Sequence, residues 1–223
     1  NPKDLSRKEL EAVSRSYVRK LFDIIGPEKD IPAPDIGTTP EIMAWMVDEY
    51  SKLAGHFAPT AFTGKPLAIG GSFGRDTATG FGGAIVLREF LEVGGRKPEA
   101  RSLRVAILGF GAVGSAIARI LHADGYRVVA LSDSKGAVYD PDGIDVDEAI
   151  RAREECGLAG QRPCSLEEAS SGRHKIISNA ELLELEVDVL IPAALESVIT
   201  AENAGRIKAK VVLEMANGPI TPE

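Results

Sequence analysis

Cysteine is nearly absent from this chain: there are two in 223 residues, Cys156 and Cys164. Two cannot build a disulfide framework, and their spacing matches no zinc-ligand pattern. The three histidines, His56, His122 and His174, stand apart without metal spacing or a triad partner, and they read as surface or packing residues. No metal site is expected. No apolar run approaches the roughly 20 residues of a membrane span, and the polar, charged N-terminus is no signal peptide. Runs rich in lysine or arginine are missing too. Lys+Arg 26 against Asp+Glu 33 leaves a net charge of −7, which phosphate backbones and anionic lipid repel, so neither nucleic acid nor a membrane is expected as a partner. Internal repeats and low-complexity segments are also lacking. These absences fit a reducing, cytoplasmic compartment. The chain opens at Asn1 and stops at Glu223, and it reads as part of a longer protein.

What is present is 44% hydrophobic and 26% charged, enough for one large domain or for one complete domain plus part of another. Ser6 and Glu9 form a capping box, with Leu5 and Leu10 at the staple positions around it. Leu10, Val13, Tyr17, Leu21 and Ile24 recur three and four apart, the apolar stripe of a helix that Gly26-Pro27 ends. Two prolines in Asp30-Ile31-Pro32-Ala33-Pro34-Asp35 forbid helix. A second helix starts at Thr39-Pro40 and carries Ile42, Met43, Met46, Val47, Tyr50 and Leu53, its methionines and Trp45 serving as core. Seven glycines between Gly64 and Gly83 mark a functional loop, and a helix follows from about Thr79 through Leu91.

Beyond this point short strands and helices alternate. Leu103–Leu108 and Arg127–Leu131 are buried apolar strands, and Ala116–Leu121 is helical between them. Asp145 caps a helix through Ile150, and Val187–Ile191 and Lys210–Leu213 are strands separated by a helix from about Thr200 to Ile207. Residues 154–173 are polar and irregular and take no assignment. Such alternation implies an α/β fold with a doubly wound, mostly parallel sheet of Rossmann type.

Gly109-Phe110-Gly111-Ala112-Val113-Gly114 fits the G-x-G-x-x-G fingerprint. With 23 glycines in 223 residues, chance supplies about a quarter of a match, so the motif alone is weak. Its context is stronger. It follows the strand Arg104–Leu108 and opens the helical run Ser115–Leu121, and a second strand ends at Asp133, 24 residues past Gly109. One glycine permits the tight turn, one lets backbone approach a pyrophosphate, and one lets helix and strand pack closely. The helix N-terminus then offers its orphan N–H groups to the phosphates. Asp133 is placed to accept from the adenine ribose hydroxyls and favours NAD, whereas Ser134 and Lys135 suit the 2′-phosphate of NADP. The cofactor is NAD or NADP, and the sequence leaves that choice open. The plain alternative is a glycine-rich turn that binds nothing.

The first half of the chain then gains a reading by resemblance. Thr63-Gly64-Lys65-Pro66, followed by Gly70-Gly71-Ser72-Phe73-Gly74-Arg75-Asp76-Thr77-Ala78-Thr79-Gly80-Phe81-Gly82, strongly resembles the glutamate dehydrogenase family, within the wider glutamate/leucine/phenylalanine/valine dehydrogenases. Asp30–Asp35, Asp133-Ser134-Lys135-Gly136, Ile191-Pro192-Ala193-Ala194-Leu195-Glu196 and Ala216-Asn217-Gly218-Pro219 are similar to further family blocks, in the same order. The resemblance implies that residues 1–62 are the helical end of a substrate and oligomerisation domain, and that 63–223 form most of a Rossmann cofactor domain. It implies that Asp35 shuttles a proton to and from the substrate nitrogen and that Thr63 lies at the substrate and nicotinamide end of the cleft. The same resemblance implies that Thr79 contacts the cofactor from the start of a helix, and that Gly109, Phe110, Gly111, Ala112, Val113 and Gly114 hold the pyrophosphate. It implies further that Ala193 and Ala194 line the nicotinamide ribose through their backbone, and that Asn217 lies near the ring.

In the full enzyme the resemblance implies reversible oxidative deamination of L-glutamate to 2-oxoglutarate and ammonia, by a homohexamer. Many members have asparagine where this chain has Ala112. The family's segment with the catalytic lysine and its last helices have no counterpart between Asn1 and Glu223, so an internal piece is expected. Leucine, phenylalanine or valine as substrate, or a non-catalytic dinucleotide-binding module, are the alternatives.

Overall fold

The computed structural model describes residues 4–35, 37–93, 103–160 and 164–222. It divides into two compact units, Asn1–Arg75 and Asp76–Glu223.

The first unit pairs α1 (Arg7–Leu21) with α2 (Pro40–Ala54). The Ser6–Glu9 capping box is formed, and Thr39 Oγ1 accepts the Ile42 N–H at the start of α2, with Pro40 just inside. Val18, Ile25, Met43, Val47, Tyr50 and Phe62 make the core. Tyr50 is its hinge, with ring centroids 5.0 Å from Phe22 and 6.1 Å from Phe62. Arg15 fastens the helices on their polar side by bonding Glu11, Asp48 and Glu49. The apolar stripe expected on α1 is only partly used. Val13, Tyr17 and Ile24 are exposed, and the helix buries Ser14 and Val18 instead. Ser14 can be buried because its hydroxyl donates to Leu10 O at 2.7 Å.

The second unit is a six-stranded sheet of order β4-β3-β2-β1-β5-β6. Its strands are β1 (Arg104–Leu108), β2 (Arg127–Ser132), β3 (Ala137–Tyr139), β4 (Lys175–Ile177), β5 (Val189–Pro192) and β6 (Val211–Val212). β1 runs parallel to both β2 and β5, and β5 parallel to β6, while β3 pairs antiparallel with β2 and β4 antiparallel with β3. Helices α3 (Ala78–Val93), α4 (Ala112–Ala123), α5 (Val146–Gly160), α6 (Leu166–Ser170) and α7 (Asn179–Leu183) complete the unit. Val105 and Ile107 join Leu87, Ile117 and Leu121 in one core, while Ala106 and Leu108 join Leu182 and Leu190 in another. Both faces of β1 are therefore covered, which is why its sequence is a continuous apolar run and does not alternate. This is the mostly parallel α/β arrangement that the alternation implied.

Three local expectations are amended. Residues 200–207 form turns with a 3-10 segment at Ala204–Arg206 and no α-helix. Asn203 explains this: its side chain accepts the Thr200 N–H and donates to Val198 O, both at 2.8 Å, giving the backbone an alternative to helical bonding. The unassigned stretch 154–173 contains the end of α5 and all of α6, which opens on a formed Ser165–Glu168 capping box. Finally, Cys156 and Cys164 are joined by a disulfide across a sequence separation of 8.

Candidate functional site

The glycine turn leaves the carboxyl end of β1 with each glycine under a different constraint. Gly109 has φ +104°, and a Cβ there would lie 2.7 Å from Ala194 Cβ and 3.0 Å from Ala193 O. Its N–H donates 3.0 Å to the buried hydroxyl of Ser132, the last residue of β2. Gly114 packs so closely that a Cβ would lie 1.7 Å from Gly109 O. Gly111 has open space around it and is the N-cap of α4, with no side-chain hydrogen bond closing that end. The first intrahelical bond runs from Ser115 N to Gly111 O at 2.9 Å. Gly111 has no side chain to cap the opening of α4, where orphan N–H groups and the positive end of the helix dipole gather. That is the chemistry of an anion cradle, and the absence of Cβ atoms leaves it room. Phe110 contributes a buried ring to the core below, while Ala112 is exposed and Val113 half-buried.

Asp133 follows β2 and is half-buried. Its Oδ1 accepts the Lys135 N–H at 2.8 Å, and its Oδ2 accepts the Leu166 N–H of α6 at 2.7 Å. The carboxylate is thus oriented by two backbone donors, each oxygen keeping lone-pair capacity for a hydroxyl. Ser134 and Lys135 are exposed, with the Lys135 ammonium 3.9 Å from Glu168. On the other side of β1, Ala193 N donates to Leu108 O at 2.8 Å and Met215 N to Pro192 O at 2.9 Å. The ladder carries Ala193, exposed Ala194 and the bend containing exposed Asn217 to the same sheet edge as the glycine turn. Helix α3 crosses α4 where a Cβ on Gly80 would lie 2.8 Å from Ala116 Cβ, and exposed Thr79, in the first turn of α3, is one residue from that crossing. Within this unit the predicted cofactor residues therefore share the carboxyl edge of a parallel sheet, where open α/β folds place their ligands.

Asp35 and Thr63 belong to the first unit and are both exposed. Asp35 N donates to Thr38 Oγ1 at 2.7 Å, and Thr63 N donates to Pro32 O at 3.1 Å. A Cβ on Gly64, φ +65°, would lie 2.4 Å from Pro34 Cγ. The proline-rich segment and the Thr63-Gly64 turn thus lie against each other.

Two contributors escaped the sequence. Ser132 stands out only as a polar end to an apolar strand. Arg153 carries no signal at all in a polar helix, yet it donates to Phe110 O and lies 5.7 Å over the Phe110 ring. A small cavity between α5, α6 and β3, lined by Val138, Glu148, Leu166, Arg173 and His174, lies apart from the glycine turn. It is spanned by the Arg173–Glu148 ion pair, with His174 Nδ1 3.4 Å from Asp140. Among the described residues no cluster of three or more His, Cys, Asp or Glu side chains is suited to a metal ion, and no helix is long and apolar enough to cross a membrane.

Residues 70–223 match the Glutamate/Leucine/Phenylalanine/Valine dehydrogenase family, and residues 1–52 match the Glu/Leu/Phe/Val dehydrogenase dimerisation domain. The chain belongs to this family. Among its relatives, the NADP-specific glutamate dehydrogenase of Synechocystis is 45% identical over 221 residues, 99% of this chain and 51% of that protein. The cryptic catabolic NAD-specific glutamate dehydrogenase of Bacillus subtilis is 44% identical over 223 residues, 100% of this chain and 49% of that protein. A crystal structure of the hetero-hexameric glutamate dehydrogenase of Thermus thermophilus in its leucine-bound form superposes with a TM-score of 0.86 at 38% identity, covering 100% of this chain and 50% of that one. The chain spans about half the length of the curated relatives it matches.

Proposed function

We propose that the protein containing this chain is a glutamate dehydrogenase, which interconverts L-glutamate with 2-oxoglutarate and ammonia using NAD or NADP. The observation that carries this reading is the glycine turn opening onto an uncapped helix N-terminus, in a chain whose relatives include both NAD-specific and NADP-specific glutamate dehydrogenases. A bound nicotinamide would supply the hydride acceptor for the substrate α-carbon. Residues of this chain bind and orient. The N–H groups around Gly109, Phe110, Gly111, Ala112, Val113 and Gly114 take the pyrophosphate, and Asp133 takes the adenine ribose. Ser134 and Lys135 meet a 2′-phosphate if NADP is used, and Thr79, Ala193, Ala194 and Asn217 serve the nicotinamide half.

Asp35 exchanges a proton with the substrate nitrogen, and Thr63 faces the substrate. Residues 1–62 are the end of the substrate and oligomerisation domain and 63–223 supply the cofactor domain, with 63–75 packed on the first compact unit and the second beginning at Asp76. The assembled protein is a homohexamer in the cytoplasm. The test is an assay of the whole protein for reduction of NAD or NADP with L-glutamate, L-leucine, L-phenylalanine and L-valine offered separately. Turnover with glutamate at least tenfold above the others is expected. Preference for one of the apolar amino acids would transfer the protein to a sister activity, and dinucleotide binding without any turnover would leave a binding module.

A further inference from the structure

The hairpin formed by α5 and α6 touches the glycine turn and Asp133 at once, and its two cysteines are bonded at its neck. Arg153 and Cys156 lie one helical turn apart on α5, on one face. Cys164 immediately precedes Ser165, the N-cap of α6. The disulfide draws Cys164 onto that face of α5, where its carbonyl oxygen accepts from Arg153 Nε at 2.9 Å. The rest of the same guanidinium reaches across to Phe110 O and stacks 5.7 Å over the Phe110 ring. Two residues past Cys164, the Leu166 N–H holds Asp133 Oδ2 at 2.7 Å. One covalent bond thus fixes both a donor on the phosphate-binding turn and a donor on the ribose-binding carboxylate.

We infer that Arg153 is a positioning residue for the dinucleotide turn and that the Cys156–Cys164 disulfide sets its grip, so that thiol–disulfide exchange tunes cofactor affinity. The inference rests on the reading of the turn as a dinucleotide site. In a cytoplasmic enzyme a disulfide is far more often transient and redox-sensing than structural, and this chain keeps its only two cysteines for this one bond. Cys164 is 3% exposed and Cys156 half-buried, so the exchange begins at Cys156 Sγ. A thiolate of a dithiol reductant attacks Cys156 Sγ and the Cys164 thiolate leaves and takes a proton. The reductant's second sulfur then displaces Cys156, which is protonated in turn. Two electrons and two protons pass to the protein, and the reductant departs as its own disulfide. With the neck open, Cys164 O is no longer held at Arg153 Nε, and the turn and Asp133 lose a shared anchor. Only the fraction of molecules in the clamped arrangement binds cofactor tightly, so apparent affinity falls by that fraction.

The experiment uses the whole protein purified without reductant, with NADH and NADPH as probes. The redox state of Cys156 and Cys164 is read by alkylation under denaturing conditions and peptide mass, and Kd is measured by titration before and after dithiothreitol. The same is done for Arg153→Ala, Arg153→Lys and the Cys156→Ser/Cys164→Ser pair. Expected are Cys156 and Cys164 paired with each other as isolated, and a Kd about three- to tenfold weaker after reduction with kcat at saturating cofactor unchanged. The double serine variant is weak and blind to dithiothreitol, Arg153→Ala is weak in both states, and Arg153→Lys recovers part of the loss. Cys156 and Cys164 both free in the isolated protein and paired by no oxidant, equal Kd in both redox states, or wild-type Kd for Arg153→Ala would each overturn the inference while leaving the dinucleotide site standing. If neither probe binds in either state, the site reading fails and takes this inference with it.

Discussion

Gly111 and Gly114 are three residues apart in one motif, and the structure assigns them opposite duties that substitution by alanine separates. A Cβ at position 114 would sit 1.7 Å from Gly109 O and 2.9 Å from Gly109 C, so backbone must retreat by about 1.7 Å to reach ordinary contact at 3.4 Å. That oxygen belongs to a residue fixed at φ +104° and tied to Ser132, so the retreat moves the α4–β1 junction as a whole. Overpacking of this kind costs about 3 kcal/mol, which in a unit of this size lowers the thermal midpoint by about 6 to 12 °C. At position 111 nothing lies within 4 Å and φ is −87°, so alanine is accepted with a stability change within about 0.5 kcal/mol. Its methyl group nevertheless stands at the mouth of the uncapped helix, where backbone must approach an anion. The expected pattern is crossed: Gly111→Ala unfolds like wild type in differential scanning calorimetry but binds NADH or NADPH at least tenfold more weakly, whereas Gly114→Ala fails in the melt. The argument would be refuted by Gly114→Ala melting within 1 °C of wild type (about 0.3 kcal/mol), or by Gly111→Ala binding dinucleotide unchanged.

Other perturbations reach other parts of the chain. Burial pulls the Asp188 carboxyl up, but the Arg104 N–H at 2.8 Å and the Lys210 ammonium at 2.7 Å outweigh it and hold its pKa below the ordinary carboxylate value. Its folded pKa being depressed, this contribution is present above the unfolded value, near pH 4, and is lost as pH falls through the folded value. Urea midpoints measured from pH 7 to pH 2 should therefore drop less steeply below pH 4 in Asp188→Asn, from a lower neutral-pH starting point. Arg15→Ala removes a cation shared by Glu11, Asp48 and the nearly buried Glu49, and leaves Glu49 with Arg19 alone. A loss of about 2 kcal/mol in chemical denaturation of the first unit is expected, and a change under 0.5 kcal/mol would show the cluster to be screened surface charge. Ser165→Ala opens the capping box that seats α6 and should weaken stability by about 1 kcal/mol and loosen Leu166 from Asp133, read as faster amide exchange at Leu166.

The sequence was most legible where local chemistry and tertiary packing ask for the same residues. Ser6 with Glu9 and Thr39 with Pro40 began helices where their side chains dictate, and strands buried on both faces announced themselves as unbroken runs such as Val105–Leu108. Legibility failed where the deciding partner is distant. Val13, Tyr17 and Ile24 have helical spacing, but burial on α1 is settled by α2, which packs on the Ser14–Val18 side. β3 and β4 are three residues each, too short to carry a period, and antiparallel pairing defines them, of β3 with β2 and of β4 with β3. Between 200 and 207 helical composition lost to a single asparagine side chain.

At the candidate site the same division holds. The glycines of the turn were readable because a tight turn, an anion and a close helix each exclude a Cβ for a reason visible in one motif. The orientation of Asp133 was not, because one of its two donors comes from Leu166, 33 residues further on, through a hairpin that also carries the Cys156–Cys164 disulfide. A count of two cysteines says nothing about distance, and only the packing of α5 against α6 brings these two together. It follows that Asp133 is already bonded before any ribose arrives, so a cofactor hydroxyl adds to an oriented carboxylate and does not have to order it. Affinity on the adenosine side should then track the integrity of the α5–α6 hairpin as closely as it tracks the acidic residue itself. Asp133→Asn, with one oxygen still able to accept from Leu166, should accordingly weaken dinucleotide binding less than Asp133→Ala, which strands both backbone donors; equal losses in the two variants would show that only the charge matters.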